Sequence, residues 1–562
     1  MPRLLPRLLR RLPAVLAVSA GALLTGCGGP TPAAPPNFLV IVADDLGYTD
    51  IGAFGGEIRT PHLDDLAASG LRFTSFYTSA TCSPTRAMLL SGVDHHRAGL
   101  GGMASLMGED LAGRVGYEGF LNEHVHHLPA VLREAGYHTS IAGKWHLGQA
   151  EDQAPPARGF DRSFVLLPGA ASHFEDAAPV DLLDEIRYRE DGAFVDALPE
   201  GFYSTRFHTD RLMDYIGEAV EQEKPFFALG TYTAPHWPLQ APDEFLDLYA
   251  GRYDGGWEEL ARSRIDGAKR AGVIPADVEA PALPAYARAW SDLGPEAQRV
   301  EARKMEIYAA MVERLDHHIG RLVAFLEERG LLENTMILFF SDNGPAGEDV
   351  TGLPGNDVFL RETFDFSYER MGRMGSFVWY GPEWAQAASA PYRYFKQFNH
   401  EGGIRVPGFA VVPERLRGRL PGAVSGAFVQ VIDLFPTLVE AAGAALPPAE
   451  PGVAPPTGRS FLPLLTGDSD EGHPEPVAGW ELFGRRAYRE GAWKIVWLAP
   501  PLGEGAWALY NLDDDPGELR DLAGERRDVL ARLLEGWDRY VEANGVIVVE
   551  DDRAFGQPVP LR

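Results

Sequence analysis

The run Asn37–Ala43, NFLVIVA, is short, apolar and β-branched, and it stops abruptly at Asp44-Asp45. Such a run predicts a strand buried on both faces, as in a parallel sheet, with its charge held back for the carboxyl end. Three further segments repeat the design. Residues 336–340 (MILFF) end at Ser341-Asp342-Asn343-Gly344, residues 226–230 (FFALG) precede Thr231-Tyr232-Thr233, and residues 139–142 precede Gly143-Lys144. Helical stretches alternate with them at 62–69, 128–135, 209–222 and 305–329, the last carrying Ile307, Met311, Leu315, Ile319 and Leu322 at helical spacing. This alternation predicts an α/β, doubly wound sheet. In open α/β sheets ligands sit beyond the carboxyl ends of the strands, so four polar strand ends predict one shared site.

Length and charge narrow the partners. A chain of 562 residues with 45% hydrophobic content can bury a large core, divided among two to four domains. Its 80 acidic residues outnumber 51 basic ones, for a net charge of −29, which argues against nucleic acid as a partner. An anionic substrate must then be drawn in by local cations against the overall field. The stretch 447–456 (PPAEPGVAPP) is the best break in the second half. After it, Trp493–Trp497 and 508–511 read as antiparallel strands and 525–543 as a closing helix. The expected layout is a catalytic α/β domain over 37–455 and a smaller C-terminal α+β domain over 456–562. Residues 243–300, rich in charge, Pro and Gly, read as an insertion decorating the sheet. Residues 344–390, irregular and aromatic, read as a pocket-lining loop; Trp379, Tyr380 and Trp384 suit an aromatic entrance or a core equally.

The first 27 residues read as an export signal. Arg3, Arg7, Arg10 and Arg11 precede an apolar run that ends in Leu24-Thr25-Gly26-Cys27, a bacterial lipobox pattern. Cleavage before Cys27 and its lipidation would leave 28–36 as a flexible tether to a membrane, at the periplasmic or outer face. An ordinary signal peptide cut near Gly26 is the alternative. Only Cys27 and Cys82 are present, so with Cys27 lipidated or removed Cys82 has no disulfide partner, and a lone cysteine in an exported chain is either a liability or chemistry.

Cys82-Ser83-Pro84-Thr85-Arg86 resembles the signature of type I sulfatases, the formylglycine-dependent arylsulfatase family of the alkaline phosphatase superfamily. The resemblance spans about 37–511. It implies an alkaline-phosphatase-like fold with a large, mostly parallel sheet. It also implies that a formylglycine-generating enzyme oxidises Cys82 to 3-oxoalanine, whose hydrate is the nucleophile. Asp44, Asp45, Asp342 and Asn343 match the family's ligands for one calcium ion, and their oxygen-only chemistry independently suits a hard divalent cation. Arg86, four residues after Cys82, falls on the same helix face and is placed to steady the nucleophile. Gly143-Lys144-Trp145-His146-Leu147-Gly148 matches a further family segment, bringing Lys144 and His146 to the site. Ala234-Pro235-His236-Trp237-Pro238 matches another family motif, which implies that His236 contacts sulfate. Lys396, five residues before Glu401-Gly402-Gly403-Ile404-Arg405, matches a second anion-binding lysine, with His236 and Lys396 both candidates for protonating the leaving oxygen. Pro345, Glu348 and Asp349 depart from the family's pattern and leave the neighbouring pocket wall, and so substrate preference, open.

The expected activity is hydrolysis of a small-molecule or glycan sulfate monoester. The alternatives are a phosphonate monoester or phosphodiester hydrolase of the same superfamily, and an inactive lipoprotein that binds sulfated glycans. The pairs His95-His96, His126-His127 and His317-His318 are not read as zinc sites, because adjacent histidines point apart on a helix or strand. Asp513-Asp514-Asp515 reads as a turn.

Overall fold

The structure is a computed structural model and describes residues 34–176, 187–278, 286–352, 355–418, 421–470 and 476–553. Cys27 and most of the tether lie outside the described residues. Residues Pro35–Arg562 form one compact unit, and among the described residues no helix is long and apolar enough to cross a membrane.

Among the described residues the main sheet has 11 strands. They are β1 (Asn37–Ala43), β2 (Leu71–Tyr77), β3 (His138–Lys144), β4 (Arg162–Leu166), β5 (Tyr188–Glu190), β6 (Ala193–Phe194), β7 (Phe226–Thr231), β8 (Thr335–Ser341), β9 (Arg405–Val411), β10 (Ala423–Ser425) and β11 (Val429–Gln430). Their order is β10-β2-β9-β8-β1-β7-β3-β4-β5-β6, with β11 also on β2. The centre, from β8 through β1, β7 and β3 to β4, is parallel; β9 runs against both β8 and β2. Side chains of β1 divide between two cores: Leu39 and Ile41 pack on one face, Phe38, Val40 and Val42 on the other. A continuous apolar run is the expected signature of a strand buried on both sides. The second sheet is the antiparallel meander β12 (Val477–Leu482), β13 (Arg485–Glu490), β14 (Trp493–Trp497) and β15 (Trp507–Asn511), covered by the helix Arg527–Asn544.

The four site-bearing strands stand where the sequence predicts them, but two other readings need correction. The long helix covers Pro295–Glu328 rather than starting at 305, and the segment before it contains the helix Gly256–Ala271. Trp257, Leu260, Ile265 and Ala268 of that helix belong to the main core, so the segment is structural rather than decorative. Its apolar face is hidden in the sequence among Glu, Arg and Lys that cover the other face. Likewise 344–390 is not all loop: Asn356–Thr363 and Gly381–Ala388 are helices, and Tyr380 and Trp384 are core residues.

Candidate active site

Strand register decides what meets at the sheet's upper edge. Ala43 pairs with Ser341, Val42 with Thr231, and Gly143 with Thr231 on its other side. Asp44 therefore leaves β1 level with Asp342 leaving β8, while Lys144 closes β3 beside them. Because β9 is antiparallel to β8, its amino end lies at this same edge, and the segment carrying Lys396 feeds it. Reversal at β2 returns that strand's carboxyl end, Tyr77, to the edge, and the chain reaches Cys82 at the start of the helix Cys82–Ser91. Glycine permits a close approach here: a Cβ on Gly344 would stand 2.0 Å from the Gly402 carbonyl oxygen.

The side chains interlock. Cys82 Sγ lies 3.3 Å from Asp44 Oδ1 and 3.9 Å from Asp45 Oδ1. Lys144 Nζ donates to Asp44 Oδ2 at 2.7 Å. Lys396 Nζ donates to Asp45 Oδ2 at 2.8 Å and to His236 Nε2 at 3.1 Å, and stands 3.2 Å from Glu348 Oε1. Arg86 donates Nε and Nη2 to Asp342 Oδ2 at 3.1 and 2.7 Å, and Nη1 to the Lys144 carbonyl at 2.9 Å. Its hydrogen bonds thus go to a carboxylate and a strand end, so it orders the frame around Cys82. Asn343 Nδ2 donates to Asp45 Oδ1 at 2.6 Å. His146 packs against Gly169, and its buried Nδ1 has no hydrogen-bond partner. Asp45 and His146 both hold positive φ, at 66° and 56°, and such strain clusters at functional sites.

Burial and charge fix the protonation states. Burial, with Asp44 alongside, holds the Cys82 thiol well above its usual range, so the sulfhydryl keeps its proton. Burial also pushes His236 well below its usual value, and the charges of Lys396 and Lys144 push it further. The neutral ring donates Nδ1–H to the Trp237 carbonyl at 2.6 Å. A carbonyl can only accept, so Nε2 is left as a lone pair facing Lys396. Of the two residues expected to protonate the leaving oxygen, only Lys396 holds a proton to give. Burial disfavours the Lys396 charge, but Asp45, Glu348 and Asp44 outweigh it and hold the ammonium well above its usual range. His146 is pushed well below its usual value by burial and by Lys144, Arg86 and Lys396, so it is a neutral ring able to accept a proton.

The carboxylates fit a metal. Burial pushes Asp45 up to about 6; Lys396 opposes the rise, and Glu348 and Asp342 add to it. Burial and then Asp44 raise Asp342 as well. Crowded buried carboxylates of this kind are costly without a cation, because each loses several kcal/mol of hydration. Asn343 Oδ1 is buried with no partner, a free oxygen beside them. Ligand atoms of Asp44, Asp45, Cys82 and His236 also lie within 4.8 Å of one another. A protonated thiol and an imidazole facing an ammonium are poor ligands, however, so the oxygen set Asp44, Asp45, Asp342 and Asn343 suits a hard divalent cation better.

Sequence reasoning left one participant without a role. Glu348, buried between Lys396 and the Trp237 indole N–H at 3.4 Å, belongs to the same cluster. Its signal was the break in pattern after Asp342-Asn343-Gly344. A second correction concerns His95 and His96, which sit in a turn and whose tilted rings lie 4.1 Å apart, centre to centre, instead of pointing apart. With Asp94 they form a group of possible metal ligands. The His96 nitrogens, though, are spent on Asp94 at 2.7 Å and Glu481 at 3.1 Å.

The fold is alkaline-phosphatase-like, with the cluster at the carboxyl ends of its parallel strands. The PsFucS1 sulfatase from Pseudoalteromonas sp. shares the fold with a TM-score of 0.60 at 21% identity, over 91% of each chain. A phosphonate monoester hydrolase from Silicibacter pomeroyi shares it at 0.54 and 20% identity, over 91% of this chain and 96% of that one. An uncharacterised sulfatase of Schizosaccharomyces pombe is 41% identical over 532 residues, 92% of this chain and 95% of that protein. An arylsulfatase of Klebsiella aerogenes is 38% identical over 431 residues, 76% of this chain and 91% of that protein. Residues 36–444 match the family model described as Sulfatase. The chain belongs to the sulfatase family and is a sulfuric ester hydrolase.

Proposed function

We propose that the protein hydrolyses monoanionic sulfate esters of the arylsulfatase type, with residue 82 matured to formylglycine and calcium held by Asp44, Asp45, Asp342 and Asn343. The observation that carries this reading is Cys82 Sγ, buried and 3.3 Å from Asp44 Oδ1, where burial and the carboxylate hold its pKa well above the usual thiol range. A thiol needs its thiolate form to attack, and the neighbouring carboxylates oppose that form. The cysteine sulfur therefore stands in for an oxygen nucleophile. When present, the hydrated aldehyde supplies that nucleophilic hydroxyl, and calcium supplies Lewis-acid stabilisation of its charge.

The chain's own residues supply the rest. Lys144 at the end of β3 and Lys396 in the turn before β9 stand by the nucleophile and offset negative charge on the sulfuryl oxygens. Lys396 Nζ gives a proton or hydrogen bond to the departing oxygen, aimed by His236 Nε2. His146, neutral and with a free Nδ1, takes the proton released as the nucleophile is regenerated. Arg86 keeps Asp342 ionised and in place.

Charge balance supports a monoanion. Asp44, Asp45, Asp342 and Glu348 face Arg86, Lys144 and Lys396, so the acids exceed the bases by one. A divalent cation reverses this to one positive charge, which a sulfate monoester neutralises and a phosphate monoester dianion overshoots. Phosphonate monoesters and phosphodiesters are also monoanions, and the fold shared with a phosphonate monoester hydrolase keeps them as the second reading. The test compares kcat/KM for matched phenyl sulfate and phenyl phosphonate monoesters, with the mass of the peptide containing residue 82. A preference for the phosphonate, or an unmodified cysteine in active protein, overturns the first reading. Export as a lipoprotein anchored through Cys27 completes the proposal.

A further inference from the structure

Lys396 sits in a turn that two parts of the molecule hold from opposite sides. Tyr394 and Gln397 have φ of 62° and 71°, a region that side chains with a Cβ enter only when their surroundings enforce it. On the inner side, the Lys396 N–H donates to the Pro345 carbonyl at 3.1 Å, and the Gln397 N–H to the Ala80 carbonyl at 2.8 Å, two residues before Cys82. On the outer side the hold comes from the second sheet. Arg485, first residue of β13, donates Nη1 to the Gln397 carbonyl at 3.1 Å, and its guanidinium lies 4.0 Å over the Phe398 ring. Asn399 Nδ2 donates back to the Arg485 carbonyl at 2.9 Å. Arg485 is buried, and its charge is answered by Asp552, which accepts from Nε at 3.0 Å and Nη2 at 2.9 Å. A buried guanidinium persists only when paired and hydrogen-bonded. Asp552 supplies the pairing, and the Gln397 carbonyl takes a donor that points at the active-site turn.

We propose that Arg485, held by Asp552, is a positioning residue: it fixes the Gln397 peptide and thereby aims Lys396 Nζ at the reacting group. The second sheet and the chain's last described residues then act on catalysis without touching substrate. The role assigned to Lys396 rests on the proposed function, but the hold on the turn does not.

Arg485→Met keeps a stem to pack on Phe398 and removes the donors; Asp552→Asn loosens the guanidinium more gently and carries every measurement if the first variant does not fold. Amide hydrogen exchange of the 394–400 segment should quicken in both. Displacing a positioned group by an ångström costs about 10²-fold in rate, so kcat/KM on phenyl sulfate should fall by about 10- to 10²-fold, and much less on 4-nitrophenyl sulfate. In a Lys396→Ala background the Arg485 change should add nothing further, as expected when one residue acts through another. Unchanged exchange at 394–400 overturns the inference whatever the activity. A loss equal for both esters, or one that multiplies with the Lys396→Ala loss, overturns it as well. A wild-type protein inert on both esters sinks the proposed function instead, and exchange alone then decides whether Arg485 holds the turn.

Discussion

Cys82 Sγ and Asp44 Oδ1 stand 3.3 Å apart, and both residues are buried. That pairing sets a thiol against a carboxylate where burial disfavours a second negative charge. It also puts residue 82 in touch with a proposed metal ligand, so an oxygen in place of the sulfur would face the proposed cation.

Cys82→Ser should abolish sulfate ester turnover in a host whose maturation enzyme acts on cysteine, while the fold survives. Serine is smaller than cysteine and its hydroxyl can donate to Asp44 as the thiol does. Circular dichroism and the melting temperature should stay near the parent's. Turnover of an aryl sulfate at the parent's level would remove formylglycine from the account.

Metal dependence should follow calcium. Prolonged chelation should remove activity and calcium should restore it, since the donors are carboxylate and amide oxygens. Asp342→Asn should cost both metal and stability. Arg86 donates twice to that carboxylate, and breaking a buried pair costs about 3–5 kcal/mol. Elemental analysis that finds zinc in protein purified without added metal contradicts the assignment.

Stability should fall on the alkaline side through His96. Its ring joins Asp94 and Glu481, and Asp94 also accepts from Tyr540 in the closing helix at 2.8 Å. Burial opposes the charged ring, but the two carboxylates outweigh it and raise its pKa to about 9. Unfolded histidine titrates near 6.5, so the folded value is the higher one. The stabilisation is therefore complete below about pH 6.5 and lost as pH rises through about 9, a change of about 3 kcal/mol. His96→Gln should lower the melting temperature at pH 6 and flatten its decline towards pH 10. Parallel declines in the two proteins would assign the alkaline loss to other groups.

Much of this was legible because the informative residues lie next to strands. Asp44, Asp342 and Lys144 are at or one step beyond the ends of parallel strands, and register alone brings them level. Lys396 was legible only through resemblance, since its turn depends on positive φ at Tyr394 and Gln397 and on Arg485, none of which leaves a local pattern. The helix Gly256–Ala271 was hidden because its charged face dominates the composition. Glu348 showed only as a broken motif, its meaning set by contacts with Lys396 and Trp237, the latter 111 positions away.

Anchoring should depend on Cys27. Wild-type protein should partition into membrane fractions with a lipidated amino terminus, and Cys27→Ala should not be lipidated. A wholly soluble wild type with an unmodified amino terminus would leave only an ordinary signal peptide, or none.

Lys396→Ala should harm substrates in proportion to how poor their leaving group is. The ammonium is the proton-bearing member of its pair with His236, whose Nε2 only accepts. A donor at the departing oxygen stabilises charge that develops in the transition state and is absent from the bound ester. An unactivated phenolate or alkoxide needs that help, whereas a nitrophenolate already spreads its charge into the ring. General acid catalysis of this kind is worth about 10²–10⁴ in rate, so phenyl sulfate should approach that loss and 4-nitrophenyl sulfate should fall well short of it. Plotting log kcat/KM against leaving-group pKa should give a steeper slope for the variant than for the parent. Parallel lines would mean that Lys396 binds the sulfuryl oxygens and leaves the departing oxygen alone. No loss on any ester would take Lys396 out of the reaction and leave its contact with Asp45 as a structural ion pair.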